Sequence, residues 1–257
     1  MSLCILTDTT ALIPQPAPHT GKFIFAIHRK SEASGLLPID LQEYQEIFTR
    51  LEHEFNAILV LTGSDALFGG VETAQQAARS HGGSARIEVL DTQQLGSGLG
   101  ILTLLAAHQA AAGRSLLETQ DYVRAASPCL FTILCPDQLF PGQEKNSAAG
   151  NFEEPPGVLP IYTVEEGQFA LYKKVRTQRH LLEIFQEFLE EFETPEQVCL
   201  FHGKNTSLHI RALRNTILEL FPGIQLTDLE LNENLTHLFG EHTAGLTVLE
   251  LPRERGQ

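Results

Sequence analysis

Thr62-Gly63-Ser64-Asp65, with Gly69 and Gly70 a few residues on, is the stretch of this chain best supplied with groups that could hold a ligand. It brings together hydroxyls, a carboxylate and glycines that let backbone N–H groups approach a bound molecule closely. The preceding Ala57-Ile58-Leu59-Val60-Leu61 reads as a strand buried on both faces, and the Ala/Gln/Glu-rich run from Val71 to Ala78 reads as a helix. A sharp turn at the carboxyl end of a parallel strand is where open α/β sheets place ligands. Ser64 is therefore expected at the head of a ligand site, with Gly63 opening the backbone beside it. The plain alternative for Ser64 is a helix cap.

His242 and Thr243, near the far end of the chain, are a second source of donors, and Asp8 follows the first apolar run. Asp8-Thr9-Thr10 also reads as ordinary strand-end turn chemistry, and a lone loop histidine is usually just hydrogen-bonded. A Ser64, His242 and Asp8 hydrolase is conceivable as a constellation. Thr62-Gly63-Ser64-Asp65-Ala66 is not the G-x-S-x-G elbow, however, so no catalytic residue is assigned and a binding or carrier protein is expected. His237 and His242 stand five apart with Glu241 beside them and the other histidines are scattered, so no metal site is expected. Gly96, Gly98 and Gly100 lack the dinucleotide spacing, and no cofactor is expected.

The composition narrows the partners. The 257 residues carry 32 acidic against 18 basic side chains, a formal charge of -14, whose field repels phosphate backbones and anionic membranes. Nucleic acid is not expected as a partner, nor is stable membrane insertion, since no apolar run has membrane length. Cys4, Cys129, Cys135 and Cys199 show no C-x-x-C spacing and no signal sequence precedes them, which points to a reduced, cytoplasmic protein. Lys173, Lys174, Arg176 and Arg179 form a basic patch in this acidic chain, read first as a solvated strand end and helix start.

The elements that would position these residues alternate in the first half. Strands are expected over Ser2–Thr7, Phe23–Ile27, Ala57–Leu61 and Ala85–Leu90, with helices from Leu41 to about Phe55, over the run after Val71, and, preceded by Gly96, Gly98 and Gly100, over roughly Leu99–Ala112. This is the rhythm of βαβ units and a parallel sheet flanked by helices. A second, smaller α+β domain follows, with a hairpin over Val158–Val164 and Gln168–Val175, a helix over Gln178–Phe192, strands at Val198–His202, Gln225–Leu231 and Leu246–Leu251, and a polar loop over Asn234–Gly245. The expected division is an N-terminal α/β domain over 1–135, a mobile loop over 136–157 and a C-terminal α+β domain over 158–257.

In combination these pieces resemble the DegV family, whose known members bind fatty acids, some as the acyl-presenting subunit of a bacterial fatty acid kinase. Ile5-Leu6-Thr7-Asp8-Thr9-Thr10 resembles the family's opening I-x-T-D-S-T/S, and Leu61 to Gly69 with Val71-Glu72-Thr73-Ala74 is similar to its serine-rich turn and helix. Val89 to Gly100 resembles V-x-D-S-x-x-x-S-x-G-L-G, the most specific of the matches. Val158-Leu159-Pro160-Ile161 and Lys174-Val175-Arg176-Thr177 look like I-K-P-I and K-V-R-x, and Glu241 to Gly245 like the terminal T-H-T-G-P-G.

The resemblance implies a long-chain fatty acid held by its tail in an apolar tunnel, its carboxylate at the interface of two domains, with presentation to a kinase subunit as a further step. By position, Ser64 matches the first serine of the turn, and His242 and Thr243 match the last motif. Three features depart. Where the family has P-T-T-S this chain has Ser34-Gly35-Leu36-Leu37, and Asp65 replaces the second serine of the turn. The family's K-G-G-R-I stretch is missing where Phe140 to Pro156 stands. These losses motivate an alternative, a divergent scaffold or interaction protein that no longer binds fatty acid. Against it stands magnitude: each buried methylene contributes about 0.8 kcal/mol, so a long tail outweighs a few head-group hydrogen bonds.

Overall fold

The computed structural model describes residues 2–14, 19–33, 35–139 and 157–252. Ser34 and residues 140–156, most of the stretch expected as a mobile loop, lie outside them. In chain order the first half holds β1 (Leu3–Asp8), β2 (Ile24–Ile27), the two-residue strands β3 (Ser31–Glu32) and β4 (Gly35–Leu36), α1 (Leu41–Leu51), β5 (Ala57–Thr62), α2 (Asp65–Phe68), α3 (Val71–Ser80), β6 (Arg86–Asp91), α4 (Gly96–Ala111) and α5 (Leu116–Ala126). The second half holds β7 (Leu130–Cys135), β8 (Leu159–Glu165), β9 (Gln168–Val175), α6 (Gln178–Leu189), β10 (Gln197–His202), α7 (Ile210–Leu220), β11 (Gln225–Glu230), α8 (Glu233–Phe239) and β12 (Ala244–Leu249). The chain divides into two compact units, Met1–Ser127 and Pro128–Gln257.

The first unit is a parallel sheet in the order β2-β1-β5-β6, flanked by helices. Every residue of β1 and β5 is buried, as expected for continuous apolar strands covered on both faces. Helix α1 starts on a capping box, in which Asp40 accepts from the Glu43 N–H and Glu43 reaches back to Asp40. Its stripe of Tyr44, Ile47, Phe48 and Leu51 is buried with Cys4, Leu6, Ile58 and Val60 of the sheet.

Helix α4 begins at Gly96, so the three glycines expected before it belong to its first turns. The reason is a close approach: a Cβ on Gly100 would lie 2.0 Å from the Leu12 carbonyl oxygen. Backbone passes where a side chain would stand, and Leu12 N–H donates to the Gly96 carbonyl there.

The second unit is a six-stranded sheet in the order β11-β10-β12-β7-β8-β9, antiparallel except for β10 with β11. Strand β12, almost the last stretch of the chain, lies between β10 and β7. Strand β7 pairs with β12, so this sheet starts one strand earlier than a boundary at 135 would put it. Helix α6 buries Leu181, Ile184, Phe185, Phe188 and Leu189 against it.

The polar segment expected as a loop before β12 is in part a helix, α8. Asn232 accepts from the Leu235 N–H to cap it, and Leu235, Leu238 and Phe239 are buried at helical spacing. Gly240, at a φ of 85°, ends it. Among the described residues no helix is long and apolar enough to cross a membrane. Replacing Asp40 by alanine removes one half of the α1 capping box. It is expected to lower the stability of the first unit by about 1 kcal/mol in urea unfolding, with the folded-state circular dichroism unchanged.

Candidate functional site

The first unit gathers its polar groups at the carboxyl ends of its parallel strands. Asp8 closes β1, fully buried, and meets a cation that the sequence reading passed over: Arg29 Nε donates to Asp8 Oδ2 at 2.9 Å, with the two side chains 1% and 2% exposed. Thr10 donates to the other Asp8 oxygen through both its backbone N–H and its hydroxyl. The Arg29 guanidinium also donates to the carbonyls of Leu37 and Phe68 and lies over the Phe68 ring, 5.4 Å from its centroid. Arg29 had no motif to mark it: it follows a short strand in a stretch that reads as loop.

Ser64 is 1% exposed and stands at the turn out of β5. Its N–H donates to the Gln94 carbonyl, and its own carbonyl accepts from Leu67 and Phe68. It occupies the cap position of the one-turn helix α2, but its side chain makes no capping bond to that helix. Gly63 is buried beside Thr10 and Phe68, where an added Cβ would lie 2.8 Å from the Thr10 hydroxyl.

Asp65 is exposed, and its carboxylate accepts from the Val71 N–H at 3.0 Å, capping α3. The charge that replaces the second serine therefore serves the next helix. Asp91, at the end of β6, accepts from Gln93 and Asp65 N–H groups, and burial raises its carboxyl above its usual range. Gly35 and Leu36, standing where the resemblance leads one to expect hydroxyls, form β4, and the Leu37 carbonyl is a ligand of Arg29.

The second unit carries a cavity of about 360 Å³, within the range of about 300–1,000 Å³ typical of small-molecule sites. Its wall comes from the exit of β7, from β8, from the start of α6, from the loop after β10 and from the start of β12. Cys135, Leu139, Val158, Leu159, Pro160, Leu181 and Ala244 give the wall its apolar part, and Asp137, Gln178, Thr206, Ser207 and His242 help to make an about equal polar part. Burial and the nearby Asp137 carboxylate push the Cys135 thiol up to about 12, so it stays uncharged.

His242 and Thr243 fall into different roles here. His242 is exposed on the cavity wall, and its Nδ1 lies 2.7 Å from the Asn205 carbonyl. Thr243 is fully buried, and its hydroxyl proton is shared between the carbonyls of Phe239 and Gly240 at 2.7 and 2.9 Å while its oxygen accepts from the Asp137 N–H. Thr243 thus ties the end of α8, the start of β12 and the exit of β7 together. Among the described residues no group of three His, Cys, Asp or Glu is placed to hold a metal ion.

The model of the DegV family, described as an uncharacterised protein family, matches residues 2–251. A DegV domain-containing protein of Streptococcus pyogenes is 31% identical over 145 residues, 54% of this chain and 51% of the relative, so the match spans about half the length of each. Two solved structures share the fold. A fatty acid binding DegV family protein from Streptococcus agalactiae has a TM-score of 0.82 at 16% identity over 98% of this chain and 100% of the other. A DegV family protein from Thermus thermophilus, described for its fatty acid binding, has a TM-score of 0.80 at 19% identity over 98% and 100%.

Arg29→Met leaves the Asp8 carboxylate buried without its cation and is expected to cost the first unit about 3–5 kcal/mol. The double variant Asp8→Asn/Arg29→Met should recover part of that loss. Denaturant unfolding of the two variants beside the wild type checks the coupling.

Proposed function

The chain belongs to the DegV family, and from that premise we propose that it is a binding protein for a long-chain fatty acid. The observation that carries the reading is the cavity of about 360 Å³ in the second unit, whose wall joins apolar side chains such as Leu159 and Leu181 to polar ones that include His242. The tail supplies most of the affinity, since a dozen buried methylenes contribute on the order of 10 kcal/mol, while polar contacts orient the head. His242, in the cavity wall, is the residue proposed to meet the head group, and Ser64, in the first unit, is a candidate by its match to the family's turn alone.

Thr243 supports the His242 position at one remove, and Asp8 and Gly63 support the turn that carries Ser64. Thr243 holds the backbone from which His242 projects, Asp8 anchors Arg29 and through it the carbonyl of Phe68, and Gly63 leaves room for Thr10 against the turn. The role is binding rather than turnover, in a reducing cytoplasmic setting that suits four free thiols. Presentation of the carboxylate to a kinase subunit is the outermost part of the reading, and the family resemblance alone supports it.

The second reading, a scaffold without lipid, draws on Gly35 and Leu36 standing where hydroxyls are expected. Solvent extraction of the purified protein followed by mass spectrometry separates the two. The expected result is about one long-chain fatty acid per chain, whereas no bound lipid and no uptake of added fatty acid would leave the scaffold. Ser64→Ala and His242→Ala are each expected to weaken fatty acid affinity about tenfold, the loss of one charge-assisted hydrogen bond. Unchanged affinity in both variants would remove these residues from the site.

A further inference from the structure

Helix α6 carries its surface charge against its own dipole. A helix favours acidic side chains in its first turn and basic ones in its last, and α6 has neither. Arg176 and Arg179 stand at its start instead, and Glu187, Glu190, Glu191 and Glu193 run from its last turn into the following loop, all at exposed positions. Arg179 pairs with Glu183 at 3.0 Å and Lys173 with Glu187 at 2.8 Å, but these side chains are 44–90% exposed, where such pairs contribute little. The polarity works against folding, which points to a use between molecules.

The acidic end of α6 opens on a wide groove of about 570 Å³, whose wall includes Phe131, Glu191, Glu193, Glu250 and Leu251. Glu250 is committed to the backbone N–H groups of Glu193 and Thr194. Among the described residues no Lys, Arg or His lines this groove. Phe131 is 42% exposed in a strand that is otherwise buried, and the Phe192 ring braces it at 5.3 Å. An exposed ring beside carboxylates suits a guanidinium, which stacks on the one and pairs with the other.

The arginines at the other end of the same helix are the complement. The 12 residues of α6 put its two ends about 18 Å apart. Turned end for end against itself, α6 brings Arg176 and Arg179 to the groove of a second copy and receives that copy's arginines at its own groove, with the two helix dipoles antiparallel. We propose that this face is the contact of a two-fold dimer, with a second copy of the chain as the occupant of the groove. A surface that meets itself closes the assembly at two copies. The formal charge of -14 opposes the encounter at long range, but physiological salt screens it beyond about 8 Å while the pairs form at contact. The inference is independent of the lipid-binding reading.

Sedimentation equilibrium of the full chain at physiological salt is the test. The mean mass should rise with concentration and level off at twice that of the monomer. Two charge-reversed variants locate the contact, Arg176→Glu/Arg179→Glu and Glu191→Lys/Glu193→Lys. Each alone should weaken association by about tenfold or more, because like charges then meet at both contacts. Mixed in equal amounts, the two should dimerise about as tightly as the wild type, since every contact again joins opposite charges. Melting curves check that both variants fold, and acids at the start of α6 suit its dipole. Phe131→Ser should weaken the dimer with all charges intact. A chain that stays monomeric, a mass that grows past two copies, or a mixture that associates no better than its parts overturns the inference. A monomer that binds a lysine-rich peptide at the groove overturns it as well and assigns the groove to a cationic partner.

Discussion

A carboxylate buried at the end of a fully buried strand must be neutralised, and the first unit is arranged around the ion pair that does so. Asp8 lies where β1 runs out of the sheet, and water is excluded from both it and Arg29. Bringing two charges into such a place costs several kcal/mol per ion, which only good geometry and further hydrogen bonds offset. Both are present. Thr10 covers one oxygen of Asp8, and Arg29 distributes its remaining donors to the carbonyls of Leu37 and Phe68. Those carbonyls belong to the segment leading into α1 and to the end of the turn after β5. The pair therefore fixes the conformation of the carboxyl end of the sheet, at a position where the chain has little regular structure of its own.

The second unit solves a related problem with neutral groups. Strand β12 is inserted between β7 and β10, so the residues just before it must leave α8 and enter the centre of a sheet within a few positions. Thr243 makes this turn rigid by bonding back to the last carbonyls of α8 and by accepting from the exit of β7. His242 is the residue immediately before it and takes the opposite role, exposed and aligned by the Asn205 carbonyl. Adjacent polar residues of one motif have thus separated into a structural group and a surface-facing one.

The parallel sheet was legible because β1 and β5 are continuous apolar runs, and α1 because Asp40, Glu43 and the stripe from Tyr44 to Leu51 agree with one another. The resemblance that located Ser64 and His242 came from five short motifs in the right order. What escaped was long-range. Nothing adjacent to Arg29 in the chain announces that it meets Asp8, 21 residues earlier. The glycines at Gly96, Gly98 and Gly100 read as preceding the helix because the need for Gly100 is set by the Leu12 backbone and that for Gly96 by its φ of 54°. Helix α8 was hidden by its polar residues, since its apolar positions are few and its cap at Asn232 sits outside the motif.

These placements bear on how much head-group chemistry the chain retains. Two of the family's expected hydroxyl positions are Gly35 and Leu36 here, Asp65 caps a helix, and the Thr243 hydroxyl is fully engaged. Each missing charge-assisted hydrogen bond to a carboxylate forgoes roughly 1.5–3 kcal/mol. A few buried methylenes, at about 0.8 kcal/mol each, restore that amount without regard to the head. On the proposed lipid-binding reading, affinity and selectivity are therefore separable: apolar wall residues would hold a long chain while polar ones decide which head is tolerated.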